Sequence, residues 1–312
     1  MTALRASIVV PSRGGATRLP HLIDALRAQT ETSWEAIVVI DGDIDGSAAV
    51  VDLAGEDLPV RTVILPENQG RSAALNAGFD MADGDVLIRC DDDLCPAPGF
   101  VAAHVARHTG NPCGVVGLYR NEFPPTPYAR AYGQQRDEQF RREAYAAPES
   151  RRWRYWAGNV SVTRETFDRV GAYDTAFRTY GWEDVDWGYR LQAAGVPVVL
   201  APELETVHQV AATTTEIRVR RAFYAGAARR VFETKHGVGA LGAAMPPRGV
   251  WGRLVERTAA RQGLADLHVR AQRADRALDR MPRWAAEKRV AWLVEAAGLS
   301  GQRRPDEVGT DV

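Results

Sequence analysis

The sequence predicts an α/β fold: a mostly parallel sheet covered by helices on both faces, followed by a helical C-terminal extension. Three observations carry this expectation. Short aliphatic, β-branched runs recur as far as Leu200, and most are stopped by Pro, Gly or Asp. Between them lie segments whose apolar residues repeat at helical spacing. Strands that are apolar on both faces and alternate with helices belong to sheets buried on both sides. From Thr213 onward the strand-like runs cease and the pattern is helical.

Taken in order, ASIVV (Ala6–Val10) reads as a buried strand ended by Pro11, and Leu19, Leu22, Ile23 and Leu26 mark a helix over Leu19–Gln29. AIVVI (Ala36–Ile40) is a second strand, stopped at Asp41-Gly42, and Val60–Leu65 is a third, stopped by Pro66. Ser72–Met81 is helical, and Val86–Arg89 is a fourth strand that runs into Asp91-Asp92-Asp93. The stretch from about Tyr119 to Trp156 breaks the alternation: it contains FPPTP, is rich in Arg and ends in Trp153, Tyr155 and Trp156. It reads as an insertion carrying one helix, Tyr128–Tyr145, beside the sheet. Strand Val160–Val162, helices Arg164–Val170 and Asp184–Ala194, and strand Val196–Leu200 complete the core, with Pro197 suiting an edge or a bulge. The expected division is 1–212 for the sheet-bearing domain, with the insertion at 119–156 inside it, and 213–312 for the helical extension. The last dozen residues are polar and expected to fray.

Composition narrows the function classes. The 312 residues are 45% hydrophobic and 25% charged, ordinary for a soluble globular chain. A formal net charge of -1 gives no global basic field, so nucleic acid is not an expected partner. No apolar run is long enough to span a bilayer, and MTALRASIVVPSR does not read as a signal peptide. Cys90, Cys95 and Cys113 are odd in number and form no CxxC pair, which fits a reducing compartment. A cytoplasmic location is the resulting expectation.

In sheets of this kind ligands sit beyond the carboxyl ends of the strands, where Ser12, Arg13, Asp41, Asp43, Asp91 and Asp93 would converge. Three adjacent carboxylates repel one another, and a divalent cation resolves this by taking carboxylate oxygens and bridging to phosphates. The plainer reading is a solvated acidic turn with one Asp capping the helix that follows. Gly181-Trp182-Glu183-Asp184 stands just before a helix. One acid would suffice to favour a helix N-terminus, yet here a Trp and two acids follow a Gly. A Trp face suits a sugar ring, and an ionised Asp can take a proton from an attacking hydroxyl. Asp186 is better explained by an i,i+4 pair with Arg190. His208, in ETVHQV, would alone be an ordinary satisfied residue. His104 and His108 have the i,i+4 spacing of a zinc pair, but the HExxH glutamate is missing, so a solvated helix end is expected.

Assembled in order, these segments resemble glycosyltransferase family 2, which has the GT-A fold. VVPSRGGATRLPHLIDALRAQ is similar to that family's first strand and helix, and IVVIDGD to its second strand with a nucleotide-binding Asp. ENQGRSAALNAG is similar to its N-x-G-x-x-x-x-x-N-x-G segment, and LIRCDDD to its metal-binding D-x-D strand. GNVSVTRETFDRVGAYDTAF followed by GWEDVDWGYRL resembles its acceptor and base segment. The latter half also resembles a galactosyltransferase-type C-terminal module, in which a G-W-x-E-D segment precedes a metal-binding His. The resemblance runs from Ser7 to His208.

It implies an inverting hexosyltransferase that uses a nucleoside diphosphate sugar, a UDP-sugar by default, with Mn2+ or Mg2+ as cofactor and a hydroxyl acceptor. Pro11, Arg13, Asp41, Arg71, Asp91 and Asp92 would bind the donor nucleotide. Asp93, His208 and Asp91 would serve the metal, Asp184 would be the base with Glu183 beside it, and Trp182, Gly158 and Asn159 would border the acceptor. The G-W-x-E-D segment is shorter here, and Val210 stands where a second His would follow. SRGGATRLP also imitates the loop of sugar nucleotidyltransferases, but no Lys follows before Lys235. That enzyme class and a non-catalytic binding module are the alternatives. Between Arg253 and Arg289, ten basic residues face five acids, an excess that would suit peripheral contact with a membrane.

Overall fold

The computed structural model describes residues 4–178, 181–241 and 249–308. The chain begins with β1 (Ala6–Ser12), α1 (Leu19–Arg27), β2 (Trp34–Asp41), α2 (Ser47–Ala54), β3 (Val60–Leu65), α3 (Arg71–Asp80) and β4 (Val86–Cys90). β1, β2 and β4 are buried at every position, which is why their sequences show no alternation. α1 turns Leu19, Leu22, Ile23 and Leu26 inward, with a proline in its first turn where no N–H is needed. α2 was not expected from periodicity. Its start is fixed by capping instead: Asp43 Oδ1 accepts from the N–H groups of Gly46 and Ser47, both at 2.9 Å.

Next come β5 (Leu94–Cys95), α4 (Phe100–Arg107), β6 (Gly114–Val116) and β7 (Tyr119–Asn121). A π-helical turn (Ala129–Gly133) leads into α5 (Gln134–Tyr145), so the helix expected over Tyr128–Tyr145 forms in two geometries. β8 (Asn159–Thr163), α6 (Arg164–Val170), α7 (Glu183–Ala193), β9 (Val198–Leu200) and β10 (Thr206–His208) follow. The main sheet has seven strands in the order β3-β2-β1-β4-β8-β6-β9. Its first four strands are mutually parallel, and β8 runs antiparallel to both β4 and β6. β9 pairs in parallel with β6 at the sheet's end, so Pro197 does precede an edge strand. A second sheet, β5-β10-β7, was not anticipated, because strands of two or three residues show no periodicity.

Two compact units divide the chain. The first comprises 1–122, 141–175 and 183–210 and contains both sheets. In it α7 is anchored by Trp187, whose ring stacks on those of Trp156, Tyr173 and Phe167 at 5.0, 5.5 and 6.0 Å. Asp186 accepts from Arg190 Nε at 2.9 Å, the expected i,i+4 pair. His104 and His108 correct an expectation: they are buried, not a solvated helix end. The Ser161 hydroxyl bridges His104 Nδ1 and His108 Nε2, each at 2.8 Å, and His104 Nε2 lies 3.0 Å from Asn159 Oδ1. Burial holds both rings neutral, lowering His104 to about 3 and His108 to about 4.

The second unit comprises 123–140, 176–182 and 211–312 and contains α8 (Thr215–His236), α9 (Gly249–Arg261), α10 (Leu264–Asp275) and α11 (Arg283–Arg303). α8 and α11 approach closely through glycines: a Cβ on Gly226 would strike the Gly298 carbonyl, and one on Gly301 the Phe223 carbonyl. The expected fraying therefore does not reach 301–303, which are the last residues of α11; 309–312 lie outside the described residues.

Candidate active site

The site lies beyond the carboxyl ends of β1, β2 and β4, where a parallel sheet leaves its ligand crevice. Pro11 sits in β1 in register with Val39 and is buried. Arg13 follows it and donates from Nη1 to the Asp41 carbonyl at 2.8 Å. The Asp41 side chain accepts from the N–H groups of Gln69 and Gly70 at 2.7 and 2.9 Å, so it fixes the turn before α3. Arg71 opens α3 and pairs through Nη1 with Glu183 Oε1 at 3.1 Å.

Past β4 the three aspartates separate. Asp91 accepts from Arg89 Nε at 2.8 Å and Nη2 at 3.2 Å, and its N–H donates to the Gly158 carbonyl at 2.9 Å. A Cβ on residue 158 would strike the Asp91 carboxylate and the Tyr119 hydroxyl, so only glycine fits there. Burial disfavours the Asp91 anion, but Arg89 and Arg71 outweigh it and hold the carboxyl below its usual range. Asp92 turns inward and accepts from the Ser12 hydroxyl at 2.5 Å and Arg18 Nη2 at 2.8 Å. It ties the end of β4 to the end of β1 and the loop that follows. The same loop spends its Gly15 N–H on Ser47 Oγ and its Ala16 N–H on Asp45 Oδ2, both at 3.0 Å. Those donors are unavailable to a triphosphate, which argues against the nucleotidyltransferase alternative.

Asp93 faces His208. Its Oδ2 lies 2.9 Å from His208 Nε2, while His208 Nδ1 lies 2.6 Å from Asn121 Oδ1 and the imidazole stacks on Tyr119 at 5.3 Å. With Nδ1–H donated to the Asn121 oxygen, a neutral ring presents a bare Nε2 to a carboxylate oxygen. Two acceptors then face one another unless a proton or a cation lies between them. A carboxylate and an oriented imidazole therefore suit a divalent cation. Among the described residues no group of three His, Cys, Asp or Glu side chains is gathered for a metal. Both Asp91 oxygens accept from Arg89, so Asp91 stands behind the Asp93–His208 pair rather than facing His208 itself.

Asp184 lies in the first turn of α7 and accepts from Arg89 Nη1 on Oδ1. Burial pushes its carboxyl up to about 7, against the pull of Arg89 and with Glu183 and Asp91 adding to the rise. Glu183 is buried beside it, with Oε1 on Arg71. Asn159 is buried too, donating to the Leu204 carbonyl at 2.8 Å and Thr206 Oγ1 at 2.9 Å. It links β8 to the chain leading into β10 and has no surface for an acceptor, which corrects that expectation. Trp182 belongs to the second unit; its backbone has φ 76°, and its ring packs on Phe232 at 5.2 Å with Arg229 at 6.0 Å.

Arg89, Tyr119 and Asn121 were missed in the sequence. Arg89 left a readable signal, since a charge inside the buried run VLIRC requires partners. Asn121 left none, because only the β7–β10 pairing brings it to His208.

Comparison with known proteins bears on this geometry. The family model described as "Glycosyl transferase family 2" matches residues 7–171, and one described as "N-terminal domain of galactosyltransferase" matches 138–213. Validoxylamine A glucosyltransferase of Streptomyces hygroscopicus subsp. jinggangensis is 28% identical over 235 residues, covering 65% of this chain and 56% of the relative. The chain spans less than two thirds of the length of the curated relatives matched first, 65% and 56%. Mannosyltransferase PcManGT from Pyrobaculum calidifontis, solved with GDP-Man and Mn2+, superposes with a TM-score of 0.63 at 20% identity, over 96% of this chain and 88% of that one. S. aureus TarS 1-349, solved with UDP-GlcNAc, gives a TM-score of 0.52 at 12% identity over 94% and 90%. These two likenesses bear on the fold, which is GT-A.

Proposed function

The chain belongs to glycosyl transferase family 2, and from that premise we propose that it transfers a sugar from a nucleoside diphosphate sugar to an acceptor hydroxyl with inversion. The observation that carries this reading is a partly buried carboxylate, Asp184, whose Oδ1 accepts from Arg89 and whose proton affinity is raised to about 7 beside the donor-side residues Arg71 and Asp91. A hydroxyl is a poor nucleophile at neutral pH, and a base of that strength can accept its proton as the new bond forms. Attack from the face opposite the leaving diphosphate inverts the anomeric carbon. A UDP-sugar is the proposed donor, supported by the UDP-GlcNAc complex of TarS, while the GDP-Man complex of PcManGT makes guanosine the competing base.

Asp93 and His208 would hold Mn2+ or Mg2+, with phosphate oxygens and water completing the coordination. When bound, the cation supplies Lewis-acid stabilisation of the charge on the departing diphosphate. The chain's own residues do the rest. Arg71 supplies fixed positive charge near the donor, Arg13 and Asp41 set the loop walls of the nucleotide pocket, and Gly158 lets Asp91 approach the backbone of β8.

The reading predicts an acid limb in kcat. Asp184 acts as a base only when ionised, so turnover should fall about tenfold for each pH unit below its pKa near 7 and level off above it. A pH–rate profile flat from about 5 to 8 would remove Asp184 from that role. The overall activity is tested by product analysis. Sugar nucleotide plus acceptor should release nucleoside diphosphate, and nucleoside triphosphate plus sugar phosphate should release no pyrophosphate; the reverse pattern would overturn the reading.

We also propose that α9 contacts an anionic lipid surface. Val250, Arg253, Leu254, Arg257 and Arg261 are exposed at helical spacing on one face, with Val250 76% and Leu254 44% accessible. Among the described residues no helix is long and apolar enough to cross a membrane, so contact would be peripheral. The chain should sediment with phosphatidylglycerol vesicles and lose that behaviour in Arg253→Glu/Arg257→Glu; sedimentation unchanged by the substitutions, or absent from the start, contradicts it.

A further inference from the structure

We infer that Arg89 is a positioning residue for the transfer: its buried guanidinium locks one oxygen of Asp184 to the Asp91 carboxylate, leaving Asp184 Oδ2 to take the acceptor's proton. The inference rests on the glycosyl-transfer reading and goes beyond it. Arg89 is the only charged residue in β4 and is 1% exposed. Such a cation persists in a dry strand only when its partners are well aligned. Nε and Nη2 grip both oxygens of Asp91, and Nη1 donates to Asp184 Oδ1. The ring of Tyr173 lies 5.9 Å from the guanidinium carbon.

A guanidinium is a rigid planar fork, so seating it on Asp91 fixes the direction of its remaining arm. That arm ends on Asp184. The base is thus placed from β4, through a side chain with no freedom to swing, rather than by α7 alone. Among the described residues Asp184 Oδ2 carries no hydrogen bond, so the two oxygens are not equivalent. In the step, the acceptor oxygen bonds to the anomeric carbon and its proton passes to Oδ2. The bond from that carbon to the diphosphate oxygen breaks, and its electron pair leaves with the diphosphate.

Arg89→Lys tests this in the full chain with donor and acceptor. A lysine keeps the charge and loses the fork, so it cannot hold both carboxylates in a fixed relation. The expected result is a fall in kcat of about 100-fold, the scale of an ångström-level misplacement, with donor KM unchanged. The acid limb should also move to higher pH. The groups facing Asp184 are Arg89 from β4 and Asp91 just past it, Arg71 from α3, Glu183 from α7, and the hydroxyls of Tyr119 and Tyr173. Of these only the pull of Arg89 is weakened by the substitution. In the Asp184→Asn background Arg89→Lys should add no further loss, since both act through one group.

Arg89→Gln, which keeps a planar donor for Asp91 and gives up the second arm, answers the same question if the lysine variant melts below the assay temperature. Near-wild-type kcat with an unmoved acid limb in either folded variant overturns the inference. So does failure of both to fold, because Arg89 would then hold the fold rather than the base. Wild-type turnover in the same assay keeps the two claims apart. No diphosphate release from wild type sinks the transfer reading, whereas release by wild type and Arg89→Lys alike sinks only the role of Arg89.

Discussion

Asp184→Asn is expected to lower kcat by about 10²- to 10⁴-fold, the range a positioned general base contributes. Donor affinity should remain near wild type. The amide is nearly isosteric and keeps an oxygen for Arg89, so Trp187 and its aromatic partners still seat α7. It cannot take the acceptor's proton. The split is diagnostic: a catalytic base lost without loss of binding lowers kcat and kcat/KM together. Retained turnover would transfer the role to another group, with Glu183 the first to examine because it lies buried in the same helical turn.

The second large effect is expected at the metal pair. Asp93→Ala should abolish the manganese-dependent part of nucleotide binding. At ligand one hundred times above Kd, that binding contributes about 2.7 kcal/mol of apparent stability. His208→Ala should act in the same direction. Asn121→Ala is the finer probe. Asn121 Oδ1 holds His208 Nδ1 at 2.6 Å and so directs Nε2 at Asp93. Losing such an outer partner costs about 10- to 100-fold in metal affinity. Isothermal titration with manganese in the presence of nucleoside diphosphate reads all three variants. Unchanged manganese affinity in Asp93→Ala would contradict the ligand role.

Much of the fold was legible because its main strands are buried on both faces. ASIVV and AIVVI are almost wholly apolar runs between turn residues, VLIRC is apolar except for Arg89, and the order strand-helix-strand follows. The short strands were not legible. β5, β7 and β10 each hold two or three residues, and their pairing is decided by partners distant in sequence. The reversed direction of β8 was equally hidden, because direction is a property of connections.

At the site, residue types at strand ends gave the location, but not what each side chain does with its oxygens. The triplet Asp91-Asp92-Asp93 looked uniform in sequence, yet its members face Arg89, Arg18 and His208. The chain leaves β4 at Cys90 and turns at Asp92-Asp93, so the three side chains point to different partners, and those partners fix each role. Asn159 illustrates the opposite error. The resemblance implied ligand contact, whereas its side chain is spent on three buried partners, His104, the Leu204 carbonyl and Thr206.

The most direct test of the central claim is a thermal-shift panel of nucleoside diphosphates, each with and without manganese. A ligand that binds the folded state alone raises apparent stability by RT ln(1 + [L]/Kd). One diphosphate, expected to be UDP, should raise the melting temperature only when manganese is present, and that shift should vanish in Asp93→Ala. No manganese-dependent shift with any diphosphate, with nucleoside triphosphates stabilising instead, would contradict the account.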